Sequence, residues 1–106
     1  MRNILRQHHT FNSRAMLERR RTIEQWAWGK TVPSAISRLV LLALAQLADT
    51  NGTVLVALAD LANEVQLSER TIRTMIKDLE ACGAIEVMRR PGYQSIIVLA
   101  CPRARP

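Results

Sequence analysis

The apolar positions fall into short patterned stretches separated by turn residues. Between Ser68 and Gly83, the residues Ile72, Met75, Ile76 and Leu79 recur at i, i+3, i+4 and i+7, which predicts a helix with one buried face. Ser68 suits its N-cap, because the hydroxyl can accept from the unpaired amides of a first turn. Gly83 suits its end, since glycine takes the left-handed C′ conformation without a Cβ penalty. Arg70, Thr71, Arg73, Thr74 and Lys77 lie largely off the stripe, towards the start of the helix. A basic, hydroxyl-rich front on a half-buried helix suits insertion into a DNA major groove. An ordinary solvated helix face fits this stretch, taken alone, equally well.

Upstream, Val32-Pro33-Ser34 opens a helix running from Ser34 to Asp49, proline being tolerated in a first turn. Ile36, Leu39, Val40, Ala43, Leu44 and Leu47 share one side of it, and Leu41 and Ala48 widen that side. So broad an apolar surface predicts the central core helix, or one that also meets a partner subunit. Asp49-Thr50-Asn51-Gly52 is turn chemistry, and Thr53–Val56 is a short β-branched strand. Leu58, Leu61, Ala62 and Val65 return to helical spacing. Only Gln66-Leu67 then separates this helix from the one after Ser68, so the two must cross steeply, with Leu67 plugging the angle. After Gly83 the period changes to that of strands, with Ile85 and Val87 alternating with Glu86 and Met88. Arg89-Arg90-Pro91-Gly92-Tyr93-Gln94 intervenes before the β-branched run Ser95–Ala100, and Pro-Gly fits the centre of a type II turn.

Residues 1–31 are read as a basic arm, mobile or helical. Asn12 or Ser13 could cap a helix to about Trp28 with Met16, Ile23 and Ala27 on one face, but Arg19, Arg20 and Arg21 interrupt it. Trp26 and Trp28 are expected to plug the entrance of a domain spanning residues 32–100, with stacking on nucleic acid as the lesser alternative. Residues 101–106 are a short tail. On this division, deleting residues 1–24 should leave the fold intact.

Charge sharpens the picture. The chain has 106 residues and a net charge of +6, and its pI near 10.7 favours a polyanionic partner. Residues 1–31 hold seven Arg and Lys against two Glu, whereas residues 32–106 hold eight against seven acidic residues. Positive charge in the folded part must therefore be positioned rather than abundant. Cys82 and Cys101 make neither a disulfide framework nor a metal-ligand spacing. The longest strongly apolar run, Leu39–Ala45, is far shorter than a spanning helix. Without an apolar leader, these features point to a soluble cytoplasmic protein. His8-His9 cannot converge on one ion from a helix face, so no metal and no cofactor is expected.

Helix, short strand, helix, tight turn, helix and hairpin is the order of a winged helix-turn-helix domain. Leu61-Ala62, Leu67-Ser68, Arg70-Thr71, Ile72-Arg73, Leu79-Glu80 and Gly83-Ala84-Ile85 resemble the recurrent pattern of that family. Trp26-Ala27-Trp28, Leu39–Ala45 and Asn51-Gly52 are more narrowly similar to the helix-turn-helix domains of phage and plasmid replication and regulatory proteins. The sequence departs from the family at Ala57, where serine is usual, and at Gln66, where glycine is frequent. The expected fold is α+β: a three-helix core, a short strand and a C-terminal β-hairpin wing, with a basic N-terminal arm or helix.

The resemblance implies double-stranded DNA as partner, with the third core helix in the major groove. Arg70 and Arg73 would contact guanine, and Ser68, Thr71, Thr74 and Lys77 would hold phosphates. Arg89 and Arg90, with Tyr93 and Gln94 at the hairpin tip, would reach an adjacent groove or the backbone. Arg19, Arg20 and Arg21 would add sequence-independent attraction. No catalytic set is visible: the single tyrosine lies at a hairpin tip, and no phosphate loop or Ser/His/Asp set is present. The reading is a small transcriptional repressor of a mobile genetic element. Its alternatives are an accessory factor for phage or plasmid replication or maintenance, and a winged-helix protein-interaction module. A homodimer through residues 13–48 is expected, because one such domain reads few base pairs.

Overall fold

Ser34 and Ser37 start the central helix by capping each other. The Ser37 amide donates to Ser34 Oγ at 3.1 Å, and the Ser34 amide donates to Ser37 Oγ at 2.9 Å. Serine thus fills the position that glutamate or glutamine usually takes in a capping box. The computed structural model describes residues 14–102. In chain order these form α1 (Arg14–Gly29), α2 (Ala35–Leu47), β1 (Thr53–Leu55), α3 (Leu58–Val65), α4 (Glu69–Ala81), β2 (Ile85–Met88) and β3 (Ile96–Leu99). The strands make an antiparallel sheet in the order β1-β3-β2, with Ile97 of β3 opposite both Val54 and Val87. Four helices with this sheet give the expected α+β class, consistent with a winged helix.

The expected turn closes β1 onto the sheet. Asp49 Oδ1 accepts from the amides of Asn51 and Thr53, both at 2.9 Å. Gly52 has φ +80°, and a Cβ there would stand 3.0 Å from Cys101 Sγ, so both conformation and space call for glycine.

The orientation of α2 differs from the expected one. Val40 and Leu44 are buried as the stripe requires, and Leu41 and Ala48 with them, but the buried face also takes in Ser37 and Ala45. Ile36, Leu39 and Leu47 are exposed instead. A helix that is apolar around most of its circumference offers no unique stripe, so its neighbours α1, α3 and α4 decide which side is covered. Ser37 enters the core at no cost in unpaired groups, because its hydroxyl donates to the Ser34 carbonyl at 2.8 Å.

Residues 14–29 are helical, and they do not form an arm apart from the domain. Ile23 and Ala27 lie in the same core as Val40, Leu44 and Leu61. Arg19 is 8% exposed; its Nε donates to the Thr50 carbonyl at 2.8 Å, and Nη2 approaches Cys101 Sγ at 3.8 Å. Arg20 donates to the carbonyls of Gln46 and Ala48 at the end of α2. In return, Arg38 of α2 donates to the carbonyl of Ala27 at 2.7 Å and to that of Lys30, around the end of α1. Each helix supplies the arginine that the other's terminal carbonyls need, and neither has a basic residue in its own last turn. This corrects the placing of Arg19 and Arg20 among solvent-facing arm residues, and a boundary at residue 31 cuts through one packed unit. Of the arginine triplet, Arg21 alone is exposed. Trp26 is half-buried against the core, as a plug should be, whereas Trp28 is 62% exposed. His8, His9, Asn12, Ser13 and the tail residues Arg103–Pro106 lie outside the described residues.

The two departures from the family pattern have separate consequences. Ala57 precedes α3 with φ −73° and ψ 140° and gives it no side-chain cap. Gln66 ends α3 in the left-handed conformation, φ 60° and ψ 44°, which costs an L-residue about 1–2 kcal/mol. The turn holds because the Leu67 amide donates to the Ala62 carbonyl at 3.0 Å and Leu67 packs on the core, filling the expected angle.

Deleting residues 1–24 is expected to abolish cooperative unfolding, contrary to the sequence expectation. The deletion removes Arg19, Arg20 and Ile23; truncating one such buried aliphatic costs roughly 2–5 kcal/mol, against a total stability of roughly 5–15. A circular-dichroism melt as sharp as that of the full chain would show α1 to be dispensable. Ala57→Ser is expected to stabilise by about 1 kcal/mol, since Ser68, with φ −73° and ψ 156°, caps from nearly the same backbone conformation. A melting temperature that does not rise would refute a missing cap at α3.

Candidate nucleic-acid interface

Ser68 begins α4 as expected, its Oγ accepting from the Thr71 amide at 3.1 Å and donating to Thr71 Oγ1 at 2.9 Å. Ile72, Ile76 and Leu79 are buried and Met75 is half-buried, which fixes the rotation of the helix. That rotation leaves Arg70, Arg73, Thr74 and Lys77 exposed. Thr74 Oγ1 donates to the Arg70 carbonyl at 3.2 Å, so part of its hydroxyl capacity is spent within the helix. The helix ends through Gly83, φ +81°, whose amide donates to the Glu80 carbonyl at 3.1 Å, while the Ala84 amide reaches the Leu79 carbonyl at 2.9 Å.

The hairpin tip is organised from within. The Tyr93 amide donates to the Arg90 carbonyl at 3.1 Å and Gly92 has φ +78°, as a type II turn centred on Pro91-Gly92 requires. Arg90 donates from Nε and Nη2 to the Gln94 carbonyl, at 3.2 and 2.9 Å, and lies 5.4 Å from the centroid of the Tyr93 ring. Tyr93 itself is 75% exposed. Arg89 turns the other way, to α4, where its Nη2 and Nη1 meet the two oxygens of Glu80 at 3.1 and 3.4 Å. The hydrogen bond from Arg89 holds the Glu80 carboxyl below its ordinary range, and Glu80 raises Arg89 in turn. The pair is therefore complete at neutral pH and opens only as pH falls through that lowered value.

Between α4 and the hairpin lies a cleft of about 610 Å³, lined by Arg73, Lys77, Arg89, Tyr93 and Gln94 beside apolar Val56, Ile76 and Ile97. The fold thus gathers five of the expected contact residues on one concave surface. Ser68, Arg70, Thr71 and Thr74 belong to the same helix but not to the cleft lining. Arg19 and Arg20 are spent on carbonyls of other elements.

Glu69 and Glu80 were not foreseen as part of this surface. Glu69 pairs with Arg73 at 3.3 Å across one helical turn, a spacing readable in the sequence. Glu80 meets Arg89 only because the hairpin folds back on α4, and no linear signal announces it. Among the described residues no group of three His, Cys, Asp or Glu could hold a metal ion, and no helix is long and apolar enough to cross a membrane.

A search of curated proteins finds no match to the chain. Residues 34–85 match the model of a family described as a helix-turn-helix domain, and they span α2, α3, the Gln66-Leu67 turn and α4.

Proposed function

We propose that the protein binds double-stranded DNA sequence-specifically, with α4 in the major groove. The observation that carries this reading is the rotation of α4: burial of Ile72, Ile76 and Leu79 turns Arg70, Arg73 and Lys77 outward, with Arg73 and Lys77 in the cleft against the hairpin. Arg70 and Arg73 contact guanine, each able to offer paired donors to its O6 and N7. Ser68, Thr71, Thr74 and Lys77 set register on phosphates. Arg90, Tyr93 and Gln94 form the preorganised tip that reaches the neighbouring groove or backbone. Arg89 stands at the base of that wing, and Arg21 adds exposed charge from α1.

The favoured role is repression of transcription from a mobile genetic element, and an accessory role in phage or plasmid replication is its alternative. Footprinting on DNA flanking the gene separates them: a site over a promoter favours repression, and a repeated array at an origin favours replication.

A second surface supports self-association through residues 13–48. Trp28 projects beside a shallow groove of about 590 Å³ lined by Val32, Ala35, Leu39 and Leu42. The same patch gives the protein-interaction module its best support, and salt distinguishes the two readings. Affinity for DNA falls steeply with salt through counterion release, whereas docking on an apolar patch barely responds.

Arg73→Ala should cost about 1–3 kcal/mol on the specific site and leave binding to random duplex nearly unchanged. Equal weakening on both, in fluorescence anisotropy titrations, would reduce Arg73 to a phosphate contact. For self-association, sedimentation equilibrium at micromolar concentration should show a dimer that Trp28→Ala weakens, on a site with inverted-repeat symmetry. A strict monomer with and without DNA, on an asymmetric site, would remove the dimer.

A further inference from the structure

Among the described residues there are two ion pairs, and both tie a glutamate to an arginine of the proposed DNA surface. Arg73 Nη2 lies 3.3 Å from Glu69 Oε1, and Arg89 is held by both oxygens of Glu80. Arg70 and Lys77, on the same face of α4, have no carboxylate partner. We propose that Glu69 and Glu80 are specificity-determining residues, which withhold Arg73 and Arg89 from the phosphate backbone of arbitrary DNA. The inference rests on the DNA-binding reading above and assigns a role to two residues outside it.

The argument turns on what each target brings to the arginine. A guanidinium has five N–H donors. Glu69 engages Arg73 through a single contact at Nη2, which leaves the other Nη2 hydrogen and the donor beside it to meet a base edge. Guanine O6 and N7 are neutral acceptors, so Arg73 can reach them with Glu69 still in place, and the carboxylate also restrains the side chain. A phosphate brings a second negative charge against the Glu69 carboxylate and must displace it or be repelled. The internal anion therefore discourages the contact that every duplex offers and spares the one that only the correct base offers. At Arg89 the carboxylate is bound through both terminal nitrogens, so the pairing is tighter still and the approach of backbone is opposed in the same way. Both pairs are partly exposed, which keeps them weak enough to yield at a correct site and strong enough to bias a marginal one.

The test measures Glu69→Gln and Glu80→Gln against wild type. The probes are a duplex selected by the protein from a random pool and a random-sequence duplex, each titrated across salt concentrations. Glu86→Gln serves as control, because Glu86 is exposed on β2, lies outside both pairs, and changes net charge by the same amount. Each of the two variants should tighten binding to random duplex about 3–10-fold and steepen its salt slope by about 0.9, the signature of one added phosphate contact. Affinity for the selected site should change little, so the specificity ratio falls. If both variants behave like Glu86→Gln, the inference is overturned while the DNA-binding reading stands. If wild type binds neither duplex, it is the DNA-binding reading that fails.

Discussion

The reciprocal arginine caps between α1 and α2 are the constraint on which the remaining geometry depends. An α-helix leaves its last carbonyls without intrahelical partners, and a buried end must find donors elsewhere. Neither helix brings a terminal basic residue of its own, so Arg20 serves the end of α2 and Arg38 serves the end of α1. This exchange fixes the two helices antiparallel, with Ile23 and Ala27 of one and Leu41 and Leu44 of the other in a single core. With that side of α2 covered, its other buried positions receive α3 and α4. The rotation of α4, and with it the outward aim of Arg70 and Arg73, is therefore set partly by α1, whose Arg20 is spent on the end of α2.

The arginines occupy distinct environments, and net charge alone overstates what an anion meets. Arg19, Arg20 and Arg38 are bound to backbone carbonyls inside the fold. Arg90 braces its own loop and faces Tyr93. Arg73 and Arg89 share their charge with glutamates. Among the described residues, positive charge outside such contacts lies at Arg70 and Lys77 on α4, at Arg14 and Arg21 on α1, and at Lys30 just after α1. A surface so arranged favours a ligand whose acceptors match particular donors over one that offers only negative charge.

Much of this chain could be read locally. Ser68 and Gly83 delimited α4 because capping is a property of a few neighbouring residues. Pro91-Gly92 marked the hairpin turn, and Asp49–Gly52 the turn into β1, for the same reason. The stripe of α4 was legible because its remaining positions are polar, leaving one face to bury. The stripe of α2 was not, because nearly every position is apolar and burial could fall on several faces.

The sequence by itself determined the elements from Ser34 onward, their order and the outward face of α4, since propensity, caps and turns act over a few residues. Tertiary structure alone decided where the arginines of α1 point, which side of α2 is covered, and which glutamate meets Arg89. Each of these depends on contacts between different elements: Arg19 with Thr50, Arg20 with Ala48, and Arg89 with Glu80. A charged side chain reads in sequence as a group for solvent, and only packing reveals that a carbonyl or a carboxylate has taken the place of water.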